Sequence, residues 1–471
     1  MKTKEAARRK PCDIIIRNGY VLTVDKRRTI YATGAIAVTG DTIQAVGCER
    51  DVLAEWEGKL VFDAQGAVVH PGYIDAHVHI VHGTCRGVFD SSQTAGRLNF
   101  ADWKADVTDE DEFDATALAS VEALRRGFTG FIEPGSIFEP DAAAKAAEAV
   151  GVRALLSGCY LWDNTEAMKY LGALDSKRLY RRAPGRSRHA IDQLGSQLYR
   201  NKNKDALVTG YVSVYGLATA SDELEIAAKK LAAENNVPFH QHEAYSPAAT
   251  AADTKALGKS RIRHLAKIGV LDRNATFVHM TALDAADERV VKKTGISIVW
   301  CPHAYMQTAG FKHYSRIPRM YKDGVNVTLG TDGAMDCAIG DAGPAAYFVA
   351  AGLGEPITVG DLVEMQSIRA AKVAGLASQV GSLEAGKRAD IVIRAASIAE
   401  SYPAVNPLHQ LALMGNSGSV DTVLVNGQVV WRDGRSTRVD EEQVFARAKA
   451  SVERRMKRLG LRPAIGWPLV R

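Results

Sequence analysis

Between residues 67 and 331 the chain alternates short apolar, β-rich runs with stretches of helical periodicity. The β-rich runs are Ala67 to His79, Gly127 to Glu133, Val152 to Tyr160, Leu207 to Tyr215, Val237 to His242, Ala275 to His279, Ser297 to Cys301 and Val325 to Thr331. Between them, Asp109 to Arg126, Ser221 to Asn235 and Asp284 to Thr294 repeat apolar residues at helical spacing, and Ser221-Asp222-Glu223 is a helix-start signal. Eight strand–helix alternations predict an α/β fold, a parallel (β/α)8 barrel. Chemistry on such a barrel gathers at the C-terminal ends of its strands.

The two flanks read as β-structure punctuated by turns. Asp13 to Leu22 and Ile36 to Asp41 are strand-like at one end, as are Ala389 to Ile393 and Val420 to Val430, around Asn426-Gly427, at the other. Neither flank alone supplies a large core. The predicted organisation is therefore a catalytic barrel over residues 67–380 and a small composite β-sandwich from residues 1–66 and 381–471. The sandwich carries a charged C-terminal helix, Glu441 to Leu459, whose Arg454, Arg455, Lys457 and Arg458 are expected to face solvent.

Composition narrows the function classes. The 471 residues are 46% hydrophobic and 24% charged, enough to bury a large core. The formal net charge of +5 is small for this length, and the charges are interleaved, which argues against a nucleic-acid groove. The basic stretch Lys2 to Lys10 has no apolar segment behind it, and no run approaches the ~18 residues of a membrane span. No membrane and no nucleic-acid partner are expected, and the cytoplasm is the expected location. The six cysteines, Cys12, Cys48, Cys85, Cys159, Cys301 and Cys337, are scattered and predict no disulfide frame.

The candidate chemistry lies at the strand ends. His77 and His79, at i and i+2 on a strand, point to the same face, so their imidazoles can close on one ion. The fifth run offers His240 and His242, also on a shared face, so either is a candidate ligand; His240 is preferred because it puts Glu243 three residues on. The sixth run ends at His279, and the eighth is followed by Gly330-Thr331-Asp332-Gly333. Neutral imidazoles and a carboxylate suit Zn2+ or a neighbouring transition ion. Such an ion lowers the pKa of its water to about 7, and a nearby carboxylate moves the proton. His70 and His82 read as core histidines, with His82 close enough to support the cluster.

These motifs resemble the amidohydrolase superfamily. The match rests on Pro71 to His79, Arg86-Gly87, the His-x-x-Glu at His240, His279, Leu329 to Asp332, Gly381 to Asp390 and Asn406 to His409. It covers about Cys12 to Arg432 and is similar to the branch of triazine hydrolases, cytosine and guanine deaminases and adenosine-type deaminases of similar architecture. The resemblance implies metal ligands His77, His79, His240 and Asp332, with Glu243 as proton shuttle and His279 polarising the water. The fourth run has no Lys to bridge a second ion, so one divalent metal per chain is expected, Zn2+ first and Co2+, Fe2+ or Mn2+ as alternatives. The branch's Pro-x-Ser-Asn after strand seven is replaced by Pro302-His303-Ala304-Tyr305. With Trp162, Phe311, His313 and Tyr314 as aromatic residues on the same side, this favours a small neutral substrate. The implied activity is hydrolysis of a C–N bond in a urea, carbamate, thiocarbamate or amide, as in phenylurea and molinate herbicide hydrolases. The alternative is an aminohydrolase or chlorohydrolase acting on a triazine or nucleobase ring. The fold implies, by analogy, a homo-oligomer.

Overall fold

The computed structural model describes residues 8–89, 100–168, 174–307, 316–403, 405–415, 417–462 and 467. A closed parallel barrel organises them. Tyr73–Asp75 pairs with Phe128–Ile132, then Arg153–Leu156, then Val208–Gly210. Past Tyr211 the fourth strand continues as Val212–Gly216 and pairs through Phe239–Glu243, Ala275–His279 and Ser297–Trp300 to Asn326–Leu329. Closure comes from the Ala76 N–H donating to the Leu329 carbonyl at 3.1 Å and the Asp332 N–H donating to the His77 carbonyl at 2.8 Å. The (β/α)8 barrel predicted from the pattern is thus observed, and each of the eight runs supplies a strand.

Local sequence explains the helices around it. Asp222–Glu234 starts where the Ser221 hydroxyl accepts from the Leu224 N–H, and Asp109–Arg125 and Ala285–Thr294 begin with reciprocal capping boxes at Thr108 and Asp284. Each such cap satisfies amides that have no partner within the helix and contributes about 1 kcal/mol.

The ends assemble a nine-stranded sheet rather than two independent units. Its path runs Arg435–Ser436, Gln428–Arg432, Val420–Val425, Ile391–Arg394, Val68–Pro71, Lys10–Leu22, Ile30–Thr39 and Thr42–Cys48, with Trp56–Asp63 also on Lys10–Leu22. Ile16, Ile36, Val38, Val69, Ile391 and Leu424 fill its core. The run Ala67 to His79, read as one barrel strand, is three elements, the last being Val78–His79, which pairs with Asp332–Gly333. Val68–Pro71 belongs to the sheet, and Tyr73–Asp75 opens the barrel. Gly72 makes the crossing, because a Cβ there would lie 2.1 Å from Thr129 Oγ1. A buried ion pair, Arg153 Nε to Asp390 Oδ2 at 2.6 Å, fastens sheet to barrel.

The helix Glu441–Leu459 departs from expectation. It packs on the barrel side, and Arg455, expected in solvent, is wholly buried. Its guanidinium lies 3.9 Å from the Trp103 ring centre and donates to the Trp103 and Asp106 carbonyls at 2.6 and 2.9 Å. A planar cation that stacks and forks suits this place, where an ammonium would not. Among the described residues, no helix is long and apolar enough to cross a membrane, and all six cysteines are free.

Candidate active site

At the C-terminal mouth of the barrel the structure brings together His77, His79, His242, His279 and Asp332. Their ligand atoms form two overlapping groups, His77–His79–His242 and His77–His279–Asp332, each within 4.8 Å. Asp332 Oδ1 is 3.6 Å from His77 Nε2 and 3.4 Å from His79 Nε2, and His242 Nε2 is 3.4 Å from His79 Nε2.

Backbone and supporting side chains fix these positions. Asp75 accepts from the His77 and Thr331 amides at 3.1 Å each and from the Thr331 hydroxyl, tying the first strand to the Thr331-Asp332 turn. Gly330 passes so close that a Cβ would lie 2.8 Å from the His77 Cβ. Arg86 forks onto Glu122 at 2.7 and 3.0 Å and donates to the Ala334 carbonyl at 2.8 Å, holding the loop behind Asp332. Asp332 and His279 adopt left-handed backbone, with φ of 64° and 74°. Such conformations cost about 1–3 kcal/mol each and persist where surroundings enforce them. At His279 the strand's alternation ends, and the ring reaches the cluster, 5.6 Å from His242 between ring centres.

In His242 and His79 the outer ring nitrogen is engaged in orienting the inner one. His242 Nδ1 donates to the Tyr215 carbonyl at 2.7 Å, and His79 Nδ1 bonds Ser136 Oγ at 2.9 Å, whose hydroxyl in turn meets Glu133. Both Nε2 lone pairs are thereby aimed inward. Burial, reinforced for His77 and His242 by neighbouring rings, pushes these imidazoles down to about 3, and it pushes His279 there too. They are neutral donors at pH 7. His77 Nε2 is buried with no hydrogen-bond partner. Inward lone pairs, an orphaned buried nitrogen and a carboxylate oxygen make a donor set that fits a divalent cation such as Zn2+.

Two expectations need correction. His240 was expected as a ligand and Glu243 as the shuttle; neither is in the cluster. His240 shares the inward face with His242 but sits one layer deeper, packed 4.9 Å from the Tyr211 ring, with Nε2 donating to the Val373 carbonyl at 3.1 Å. Glu243 lies on the opposite strand face, because an offset of three from His240 reverses side-chain direction. Its carboxylate accepts from Gln241 Nε2 at 3.2 Å and stands 3.9 Å from Arg261 Nε, in the layer between strand and helices. Burial pushes it up to about 8 there. Three residues beyond His242 stands Tyr245, whose ring lies 4.6 Å from His279.

The cluster opens into a cavity of about 390 Å³, lined by His79, His242, His279 and Asp332, by Tyr215 and Tyr245, and by Phe100, Lys104, Leu174 and Ala249. A larger cavity of about 590 Å³, around Pro238, Thr276 and Lys293, lies at the opposite ends of the strands and holds none of the clustered residues. His82 stacks on His79 at 4.8 Å and also lines the active-side cavity. Trp162 is loop packing: its Nε1 donates to the Ala183 carbonyl at 2.9 Å, and the ring is buried against Tyr215. Phe311, His313 and Tyr314 lie outside the described residues.

A family model described as "Amidohydrolase family" matches residues 68–430. The chain belongs to the amidohydrolase family. It is accordingly a hydrolase of carbon–nitrogen bonds other than peptide bonds. Over 92% of its length it is 26% identical to the 5-methylthioadenosine/S-adenosylhomocysteine deaminase of Thermodesulfovibrio yellowstonii, covering 97% of that protein. Over 95% it is 27% identical to the 5'-deoxyadenosine deaminase of Methanosarcina mazei, covering 99% of it. Among solved structures, an adenosine deaminase from Xanthomonas campestris with bound zinc superposes with a TM-score of 0.83 at 22% identity, over 96% of this chain and all of that one. Atrazine chlorohydrolase from Arthrobacter aurescens, complexed with zinc, superposes with a TM-score of 0.77 at 21% identity, over 93% of this chain and all of that one. The particular likeness to phenylurea and molinate hydrolases expected from the sequence is not among these similarities, which name deaminases and a triazine chlorohydrolase.

Proposed function

We propose that this amidohydrolase is a metal-dependent aminohydrolase: it removes an amino group from a nitrogen heterocycle of nucleoside or triazine size. The observation that carries the reading is the cluster of inward-facing imidazoles and Asp332 at the floor of a cavity, in a chain whose full-length relatives are named deaminases. His77, His79, His242 and Asp332 are the residues that would hold the ion, which when bound supplies Lewis acidity and lowers the pKa of water to about 7.

The chain's own residues then have separable tasks. Asp332, with its carboxylate at the cavity floor, accepts the proton of the attacking water and returns it to the departing nitrogen. His279 hydrogen-bonds that water and orients it. Ser136 and Glu133 hold the tautomer of His79, and the Tyr215 carbonyl holds that of His242. Phe100, Leu174 and Tyr245 exclude bulk water and stack the flat ring of the substrate.

A second reading, hydrolysis of a urea, carbamate, thiocarbamate or amide, is favoured by one observation: Glu243 faces Arg261 rather than the cavity. Adding hydroxide to an aromatic ring carbon requires an acid to protonate the adjacent ring nitrogen, whereas a carbonyl carbon needs no such partner. Product analysis separates the two. Zinc-loaded protein is incubated with 5'-deoxyadenosine, aminotriazines and phenylureas, and products are read by mass spectrometry. Ammonia released from a ring amine is the expected result. An arylamine from a phenylurea, with no ammonia from any heterocycle, would replace the first reading by the second.

A further inference from the structure

Lys104 is the cation of the cavity wall. It lies on the helix Phe100–Ala105 and is 5% exposed. Its ammonium stands 4.7 Å from the Phe100 ring centre and 5.7 Å from that of Tyr160. Among the described residues it forms no ion pair, since no carboxylate oxygen comes within 4 Å. Aromatic faces soften the cost of burying an ammonium but do not replace a counterion. Glu133 and Asp332 act on it only from a distance, and burial lowers its pKa to about 8, so it remains charged at neutral pH. It lines the same cavity as His79, His242, His279 and Asp332. The lining also includes the apolar Leu174, Leu217, Ala218 and Ala249, beside Ser246 and Asp253.

We infer that Lys104 is a substrate-positioning residue that takes an anionic oxygen of the substrate, a carboxylate in the simplest case, while the substrate's apolar body lies against Leu174, Leu217, Ala218 and Ala249. The inference rests on the reading of this cavity as the substrate site and narrows the substrate to one carrying negative charge, where the sequence suggested a neutral one. A buried ammonium without a carboxylate gains a full charge-assisted bond from such a ligand, and a neutral ligand of equal shape leaves it unpaired.

The test is binding without turnover. Zinc-free protein is titrated calorimetrically with benzoate and with benzyl alcohol, so that the carboxylate cannot register by coordinating a metal. Benzoate is expected to bind at least tenfold more tightly than benzyl alcohol. Lys104→Met should weaken benzoate tenfold or more, Lys104→Arg should recover it to within threefold, and benzyl alcohol should be unchanged in both. Thermal melting of each variant checks the fold, and the wild-type preference for benzoate needs no variant. Equal binding of the two probes to wild-type protein, or undiminished benzoate binding by a folded Lys104→Met, overturns the inference. Neither result bears on ammonia release, so the aminohydrolase reading stands or falls separately.

Discussion

Exchanging the two histidines of the fifth strand separates the geometry from the motif. Four donors sharing the roughly 10–16 kcal/mol of a tight zinc site contribute about 3 kcal/mol each, or about two orders of magnitude in affinity. His242→Ala removes an inward Nε2 and leaves the Tyr215 carbonyl without its donor. It should weaken zinc about a hundredfold or more. His240→Ala removes a ring whose Nε2 bonds the Val373 carbonyl in the barrel interior. Its effect falls on stability: an unpaired buried acceptor costs about 1–3 kcal/mol, with a further cost for the cavity left behind. Competition against a chromophoric chelator gives the zinc affinity, and differential scanning calorimetry gives the melting temperature. The reasoning is refuted if folded His240→Ala loses zinc while His242→Ala retains it.

Glu243→Gln should keep zinc and turn substrate over within about threefold of the wild-type rate, because its carboxylate faces Arg261; steady-state kinetics would show instead a loss of about 10²–10⁴ if it were the general acid–base. Zinc affinity should change less than twofold between pH 7.5 and 6.0. His77 and His242, held down to about 3 by burial, do not begin to bind competing protons in that window, whereas two imidazoles at the ordinary 6.5 would cost about fourteenfold; a chelator titration at the two pH values decides. Arg153→Met leaves Asp390 buried without its partner and should cost about 3–5 kcal/mol, read as a lowered urea midpoint.

The barrel was legible because its signal is local: eight apolar runs alternating with helical stretches, one of them opened by the start signal at Ser221. His77 and His79 were legible for the same reason, since strand alternation alone puts them on one face. The choice between His240 and His242 was not. Both point inward, and which one reaches the mouth depends on register, with His242 opposite Gly216 and His240 opposite Ser213 on the neighbouring strand. The alternation rule did hold the information that Glu243 points away from either histidine's face, but the spacing of a motif outweighed it. Tyr245, three residues past the clustered histidine, followed once that histidine was known. The burial of Lys104 and Arg455 left no mark in the sequence, because a cation in a helical stretch, alone or among others, reads as solvated until the elements packed over it are known.

The burial of Arg455 under Trp103 has a consequence for biosynthesis. The short helix that walls the cavity rests on a guanidinium located near the far end of the polypeptide. While the ribosome is still translating residues before Glu441, the barrel strands have emerged but Trp103, packed beside Phe89 and Phe100, lacks the guanidinium that caps its ring. At about 5–20 residues per second, this interval lasts seconds, long enough for the uncapped indole to attract a chaperone or a neighbouring nascent chain. A stalled chain ending at Asp440 should be more readily cleaved around residues 100–105 by added protease than the released full-length protein.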